Sequence, residues 1–207
     1  MFDAFQRNFT SDPDRVPEAG EVLPNLGISG LNELIAQFGG TSFNKGLYGV
    51  VRASDVPEWM ARISLGFPKF ANRTVCFGYD WLGRAFAVDV GRLEQGQPGV
   101  LMLEPGTGEA LEVPANIQTF HEHELMESGE AALAIDAHKR WLARGGVEPA
   151  YAECIGYKVP LFLSGVDEFG NMELSDLDVY WHIMGQLIVK TRELPEGTPI
   201  GRITIGD

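Results

Sequence analysis

The sequence predicts an α+β fold: an antiparallel meander sheet flanked by helices, with a C-terminal helical module packed on the sheet. Between residues 73 and 113, apolar and polar residues alternate in short runs separated by turn residues, which is typical of successive antiparallel strands. Between residues 173 and 194, the apolar residues recur every three or four positions, which is typical of a helix with one apolar face. That face consists of Leu177, Tyr180, Trp181, Met184, Leu187 and Ile188.

The residues at the two ends of this C-terminal helix suit its polarity. Ser175 stands where an N-cap belongs, and Asp176 lies in the positively polarised first turn. Lys190 and Arg192 lie in the negatively polarised last turn. We therefore expect a core helix whose apolar face is covered by the strands around it.

The N-terminus predicts an arm. Phe2, Phe5 and Phe9 have helical spacing, which indicates a short helix that docks its aromatic edge on the body of the protein. Three prolines then interrupt regular structure between residues 10 and 27. Residues 1–27 are therefore interpreted as an ordered arm.

Two helices and a strand are predicted next. Residues 28–38 have helical spacing, with Ser29 as a cap, and two glycines end the run. A short strand is predicted over residues 47–51, after a turn. Residues 55–65 predict a second helix, because Asp55 stands at the cap position and a proline lies in the first turn.

The predicted meander and the elements after it complete the chain. Helical spacing returns over residues 116–126 and 129–144. Residues 157–165 predict a strand at a sheet edge or bulge, because Pro160 interrupts it. Residues 200–205 predict a last short strand. The four strands of the meander are expected over residues 73–81, 83–91, 99–104 and 109–113.

This order of elements predicts two bodies after the arm. Residues 28–112 would form an α+β domain, and residues 113–207 a C-terminal helical module with short strands. The alternative is one compact unit, since a chain of 207 residues can bury a single sizeable core.

The charge of the chain constrains its partners. The formal net charge is −13, which argues against nucleic acid and anionic membranes and suits a basic partner. We expect a cytoplasmic protein, because the N-terminus has no apolar leader and no segment approaches ~18 consecutive apolar residues. Cys76 and Cys154 lie in apolar surroundings and are expected to be buried free thiols.

The acidic residues are not spread evenly. No Lys or Arg occurs between residues 93 and 138, or between residues 159 and 189, although both stretches contain several carboxylates. Two explanations stay open. The carboxylates form an ordinary solvated surface, or they form a face that attracts a basic partner.

The side chains that could carry chemistry do not form a known catalytic pattern. His121 and His123 are two residues apart, so a helix would point them to nearly opposite sides. Asp178 and His182 have the i, i+4 spacing of shared metal ligands, but His182 lies beside Trp181 and Ile183 in a packed helix, where a histidine is more often an internal hydrogen-bonding group. The glycine-rich residues 39–45 lack the spacing of a phosphate loop. We predict no catalytic residue, metal or cofactor, and no enzyme.

Several stretches resemble the GAD-like domain and the C-terminal module that accompanies it. FGGTSFNKGLY at residues 38–48 is similar to the opening of that domain, and RTVCFGYD at residues 73–80 to the strand that follows. GYKVPLFL at residues 156–163 and NMELSDLDVYWH at residues 171–182 are similar to the C-terminal module. The resemblance runs from about residue 28 to the end of the chain; the arm does not align.

The resemblance implies an immunity protein, loosely akin to the SUKH superfamily. Such a protein binds and neutralises a DNase effector of a type VI secretion system in a stoichiometric complex, without turnover. The implied partner is a cognate nuclease toxin with a basic surface, which an acidic protein can attract at long range. The family supplies no catalytic residue to carry over.

The charge pattern and this implied partner together predict the contact residues. The predicted carboxylates are Glu122, Glu124, Glu127, Asp167 and Glu168. Tyr79 and Trp81 are predicted as aromatic anchors of the partner, with packing within the sheet as the alternative.

Two other functions stay open from the sequence. One is a metal-dependent hydrolase that uses His121, His123 or His182. The other is a SUKH-like binding or scaffold module with no toxin partner.

Overall fold

The computed structural model describes residues 1–13, 16, 26–192 and 194. The helices are α1 (Asp3–Asn8), α2 (Leu31–Phe38), α3 (Val56–Gly66), α4 (Ile117–Thr119), α5 (Leu125–Glu127), α6 (Gly129–Leu133), α7 (Ile135–Ala143) and α8 (Leu177–Thr191). The strands are β1 (Thr41–Phe43), β2 (Tyr48–Val50), β3 (Thr74–Asp80), β4 (Ala85–Glu94), β5 (Gln97–Glu104), β6 (Glu109–Asn116), β7 (Glu153–Tyr157) and β8 (Met172–Asp176).

The strands form two antiparallel sheets. Six of them pair in chain order, β1-β2-β3-β4-β5-β6, and β7 pairs with β8 in a separate two-stranded sheet. Sequential pairing follows from the short turns, since each strand folds back on the one before it. Helices pack against these sheets, so the predicted α+β class with an antiparallel meander is confirmed.

The predicted apolar face of the C-terminal helix is also confirmed. All of its predicted apolar residues are buried. Trp181 is 0% exposed, and its indole N–H donates to the carbonyl of Gly83 at 2.8 Å. α8 packs against α3 where Gly66 meets Gly185, and a Cβ on Gly185 would come within 3.1 Å of the Leu65 side chain. The small residue therefore lets the two helices approach closely.

The start of this helix differs from the prediction. α8 begins at Leu177, and the side chain of Asp176, not that of Ser175, accepts a hydrogen bond from the Val179 amide at 3.0 Å. Residues 172–176 form β8 instead, paired with β7. The sequence does not predict this strand, because its partner β7 is distant in the sequence.

The caps predicted for the two earlier helices are also corrected. α2 begins after Gly30, whose φ of 84° is left-handed, and Ser29 does not cap it. Asp55 stands at the N-terminus of α3 without a capping bond, because its carboxylate pairs with Arg52 at 2.8 Å.

Two other predicted elements are interrupted. The helix predicted over residues 129–144 is α6 followed by α7, with Ala134 between them in a left-handed conformation at φ 50°. The helix predicted over residues 116–126 is α4, a π-helical turn over Phe120–Glu124, and α5. Asn116 caps α4 by accepting hydrogen bonds from two backbone amides.

The strand predicted over residues 157–165 is wrong. β7 ends at Tyr157, and residues 158–171 form a loop with short 3-10 turns before β8. Pro160 lies in this loop, where it costs no strand pairing. The last predicted strand, over residues 200–205, and much of the arm lie outside the described residues.

The hydrophobic core continues across the predicted boundary between the two bodies. One cluster of buried side chains includes Leu31 and Phe77 from the first body and Phe120 and Trp181 from the second. The boundary itself, between residues 112 and 113, falls inside β6. Among the described residues, no helix is long and apolar enough to cross a membrane.

Candidate functional site: an ordered loop beside α7

Tyr79 and Trp81 lie inside the protein. Tyr79 is 4% exposed and stacks on Trp59 at 5.6 Å, while its hydroxyl accepts from the Ala152 amide at 2.9 Å. Trp81 is 0% exposed, and its indole N–H donates to the Leu133 carbonyl at 3.0 Å. Neither ring reaches the surface, so the prediction that they anchor a partner is corrected in favour of the packing alternative.

The first predicted acidic group lies on the helical run from α4 to α5. Glu122 is half-buried, and its carboxylate accepts from the Ala4 amide at 3.2 and 3.3 Å. That amide belongs to the first turn of α1, where a carboxylate is favourable. Glu124 is half-buried and Glu127 is exposed. Glu122 therefore holds the N-terminal helix in place, which leaves Glu127 as the most exposed carboxylate of this group.

His121, on the same run, is a core residue. It is 0% exposed, and its Nδ1 lies 2.7 Å from the carbonyl of Ile117. A carbonyl only accepts, so Nδ1 carries the proton and Nε2 accepts from the Tyr48 hydroxyl at 3.0 Å. Burial lowers the pKa of His121 to about 4. Both ring nitrogens are occupied, so the neutral imidazole acts as an internal bridge.

The remaining histidines do not gather at one place. His123 and His182 are exposed, and His182 contacts Gln186 at 2.7 Å. Asp178, the expected neighbour of His182, pairs with Arg62 at 3.0 Å instead. Within residues 1–13, 16, 26–192 and 194, no three His, Cys, Asp or Glu side chains are arranged to hold a metal ion.

The second predicted acidic pair, Asp167 and Glu168, lies on the loop between β7 and β8. We call residues 158–171 the β7–β8 loop. The Asn171 side chain fastens it: the amide donates to the carbonyls of Val159 at 2.8 Å and Val166 at 3.0 Å, and its oxygen accepts from the Val159 amide at 3.0 Å. A loop of this length without strands or long helices is most often functional in compact domains.

Two further contacts hold the loop against the body. The Tyr157 hydroxyl donates to Asp167 at 2.7 Å, and the Leu161 amide donates to the Gly106 carbonyl at 2.9 Å. Burial raises the pKa of Tyr157, and the hydrogen bond and charge of Asp167 raise it further. The phenol therefore stays protonated at neutral pH and remains a donor to Asp167.

The loop exposes apolar and acidic side chains together. Val159 is 47% exposed and Val166 is 58% exposed, while Asp167 and Glu168 are also exposed. This combination offers a partner both apolar contacts and charge pairing on one ordered surface.

A groove lies between this loop and α7. We call it the loop groove; its volume is about 430 Å³. The Phe169 ring is part of its lining, in edge contact with Trp141 at 5.9 Å and under the Arg144 guanidinium at 5.0 Å. The groove is lined by Ala137, Arg140, Arg144, Asp167, Glu168, Phe169, Gly170 and Met172.

The sequence predicts the carboxylates of this groove but not the arginines on its α7 side. Arg140 and Arg144 stand just after the long base-free stretch, four residues apart. Side chains at that spacing share one face of a helix. That spacing was a usable signal, whereas the contact of Phe169 with Arg144 depends on how the loop folds back onto α7.

The comparisons with known proteins add a fold relative. No family model matches the chain, and no curated protein matches it. Among solved structures, the chain is similar to the crystal structure of Atu4351 from Agrobacterium tumefaciens, with a TM-score of 0.54 and 15% sequence identity over 90% of this chain and 89% of that chain. At this identity, the similarity concerns the fold alone.

Proposed function

We propose that the protein is an immunity protein that binds and neutralises a cognate nuclease effector of a type VI secretion system. The neutralising step is the formation of a stoichiometric complex, and the protein transforms no substrate. The proposal takes its partner class from the resemblance to GAD-like proteins in the sequence. It takes its contact surface from the β7–β8 loop.

The observation that carries the proposal is the pairing of apolar and acidic groups on an ordered loop. Val159 and Val166 are exposed although the loop backbone is held by Asn171 and Tyr157. A fixed loop loses little conformational entropy when a partner binds it, so more of the contact energy contributes to affinity. Asp167 and Glu168 beside these valines suit the basic surface with which a nuclease holds DNA.

The net charge of −13 supports the same proposal through kinetics. Long-range attraction between an acidic protein and a basic enzyme raises the association rate by roughly 10- to 1000-fold at low salt. Fast association is what protection against a nuclease requires, because the DNA is attacked as soon as the enzyme arrives. The proposal therefore locates the encounter in the cytoplasm, where the DNA is.

Co-expression tests the proposal. The chain is produced together with the nuclease expected from the adjacent reading frame, and growth and co-purification are measured. Rescue of growth with a 1:1 complex is expected. A nuclease that kills equally well in the presence of the chain, with no complex, would overturn the proposal.

Two matched valines test the surface. Val166 on the loop is 58% exposed and Val90 on β4 is 52% exposed. Val166→Asp should weaken the complex by roughly 10-fold or more, because it places a charge in an apolar contact. Val90→Asp, which adds the same charge elsewhere, should leave the affinity within about 3-fold.

A further inference from the structure

The loop groove has walls of opposite charge. Arg140 and Arg144 lie on the α7 side, and Asp167 and Glu168 lie on the loop side. Across the residues that the structure describes, no carboxylate lies within 4.0 Å of either arginine in an ion pair. The opposite charges therefore face one another across the groove without joining.

Five other described arginines pair with carboxylates of the chain, whereas Arg7 forms no ion pair among the described residues and Arg192 donates to the Gly66 carbonyl. Arg52 pairs with Asp55 at 2.8 Å, and Arg73 pairs with Asp89 at 2.5 Å. Arg84 pairs with the buried Asp80. Arg140 and Arg144 form no such pair, so the charges on the two walls of the groove can pair with another molecule.

The contacts around the groove hold its charged groups in position. Tyr157 holds Asp167 on the loop side by a 2.7 Å hydrogen bond. Phe169 holds the Arg144 guanidinium over its ring at 5.0 Å. Asn171 fixes the loop backbone that connects them. The charges are thus presented in place before any partner arrives, which favours affinity.

We propose that the loop groove receives a segment of the partner polypeptide that carries an acidic side chain beside a basic one. The acidic side chain pairs with Arg140 and Arg144, and the basic side chain pairs with Asp167 and Glu168. This inference rests on the proposed function and names the recognition chemistry of the same surface.

The size and the charges of the groove favour this occupant. A volume of about 430 Å³ fits a few side chains of an extended segment. A purely basic segment would bring like charges against Arg140 and Arg144, which is unfavourable. A mixed segment satisfies both walls, so the groove selects one partner among basic proteins that the overall acidity attracts equally.

Charge reversal on α7 gives a test whose sign is decisive. The double variant R140E/R144E makes the chain more acidic. If only overall charge mattered, this variant would bind a basic nuclease more tightly. With the groove as the recognition site, the affinity for the neighbouring nuclease should fall by about 100-fold, measured by isothermal titration calorimetry.

Lys139 supplies the matched control. It is exposed on the same helix, pairs with Asp136 at 3.1 Å, and does not line the groove. Lys139→Glu changes the charge by the same amount as Arg140→Glu, and it should leave the affinity within about 3-fold. Because Arg140 is exposed, the single variant Arg140→Glu should keep the wild-type melting temperature and still lose affinity.

The outcomes separate the two proposals. If R140E/R144E binds the nuclease with unchanged or higher affinity than the wild type, the groove inference alone is overturned. The groove inference is also overturned if the wild-type chain forms a dimer that R140E/R144E dissociates, since a second copy of the chain then occupies the groove. A wild-type chain that binds no nuclease overturns the proposed function, and the groove inference with it.

Discussion

The region around His121 and the loop groove contain the same kinds of side chain, aromatic rings beside titratable groups, and use them in opposite ways. Around His121, each polar atom has an inward partner: Nδ1 with Ile117 and Nε2 with Tyr48. In the loop groove, Arg140 and Glu168 are exposed on facing walls. The difference shows that residue type alone does not mark a binding site in this protein. The two regions differ in whether their polar groups are satisfied internally, and the proposed binding site rests on that difference.

The aromatic rings of the two regions also differ in burial. Phe5 on α1 is 0% exposed and makes ring contacts with Phe43 at 4.9 Å and His121 at 5.1 Å. Phe169 in the groove is only half-buried and has a guanidinium on one face. The first ring contributes to stability, and we expect the second to contribute to recognition.

The largest expected effect is the loss of stability on removing the buried ring. Phe5→Ala should lower the free energy of unfolding by about 3–5 kcal/mol, because it leaves a cavity among packed rings. Urea denaturation measures this. The exposed neighbour substitution Gln6→Ala should change stability by no more than about 0.5 kcal/mol. A cost below about 1 kcal/mol for Phe5→Ala would mean that α1 does not pack as described.

The pH dependence of stability gives the next largest effect. The pKa of His121 is about 4 in the folded protein, below its ordinary value of 6.5. Between these two values the unfolded chain binds the proton first, so stability is complete above about pH 6.5 and falls as the pH falls. The loss from this one group should reach about 2 kcal/mol at pH 5 and about 3 kcal/mol below pH 4.

An NMR titration of the histidine side chains checks this prediction directly. His121 should stay neutral down to about pH 5. In a parallel denaturation series, His121→Gln should remove that part of the pH dependence and His123→Gln should keep it. A His121 resonance that titrates near 6.5 would contradict the buried tautomer.

A smaller effect is expected from unfastening the loop. Asn171→Asp keeps the shape of the side chain but replaces the two donated hydrogen bonds with a carboxylate facing the carbonyls of Val159 and Val166. The local cost should be about 1–3 kcal/mol. Amides of residues 158–171 should then exchange with deuterium faster, and the affinity for the nuclease should fall.

Asn8→Asp is the matched control for the same chemical change at an exposed position. Asn8 donates to the Ala4 carbonyl at 2.8 Å. Its variant should leave exchange in the loop unchanged. Equal exchange in the Asn171→Asp and wild-type loops would show that Asn171 does not hold the loop.

The smallest expected effect is a difference in binding kinetics between the two predicted acidic groups, the one on the helical run from α4 to α5 and the pair on the β7–β8 loop. Glu168→Gln in the groove should lower the association rate with the nuclease by a few-fold and raise the dissociation rate, since it removes a local contact. Glu127→Gln, on the helical run from α4 to α5, should alter the association rate only slightly and leave the dissociation rate unchanged. Stopped-flow kinetics at two salt concentrations distinguishes these cases. Equal effects at both positions would favour a diffuse acidic surface.

The sequence predicted the fold where local pattern and tertiary packing agree. The period-two meander and the apolar face of α8 follow directly from residue spacing, and both are present. Residues 172–176 show the opposite case. No strand is predicted there from the sequence, but Ile155 pairs with Leu174 across the two-stranded sheet, and the helix starts at Leu177 with Asp176 as its cap. Such pairing depends on residues distant in the sequence.

Only the acidic side of the candidate site is predictable from the sequence, for the same reason. Asp167 and Glu168 were found because charge runs are visible in the sequence. The other wall depends on a turn at Ala134, whose left-handed φ of 50° redirects α7. The shape of the loop wall depends on Asn171, which bonds across 12 residues to Val159. Tyr79 was misread as a surface anchor because a strand residue can face either side, and both faces of β3 are buried.

Hydrogen–deuterium exchange of the chain with and without the neighbouring nuclease tests the central claim most directly. The account predicts that binding protects residues 158–171 and 135–144, which form the two walls of the loop groove, and leaves α1 and the run around His121 unchanged. Protection centred on residues 1–9 and 117–127, with the β7–β8 loop unaffected, would contradict it.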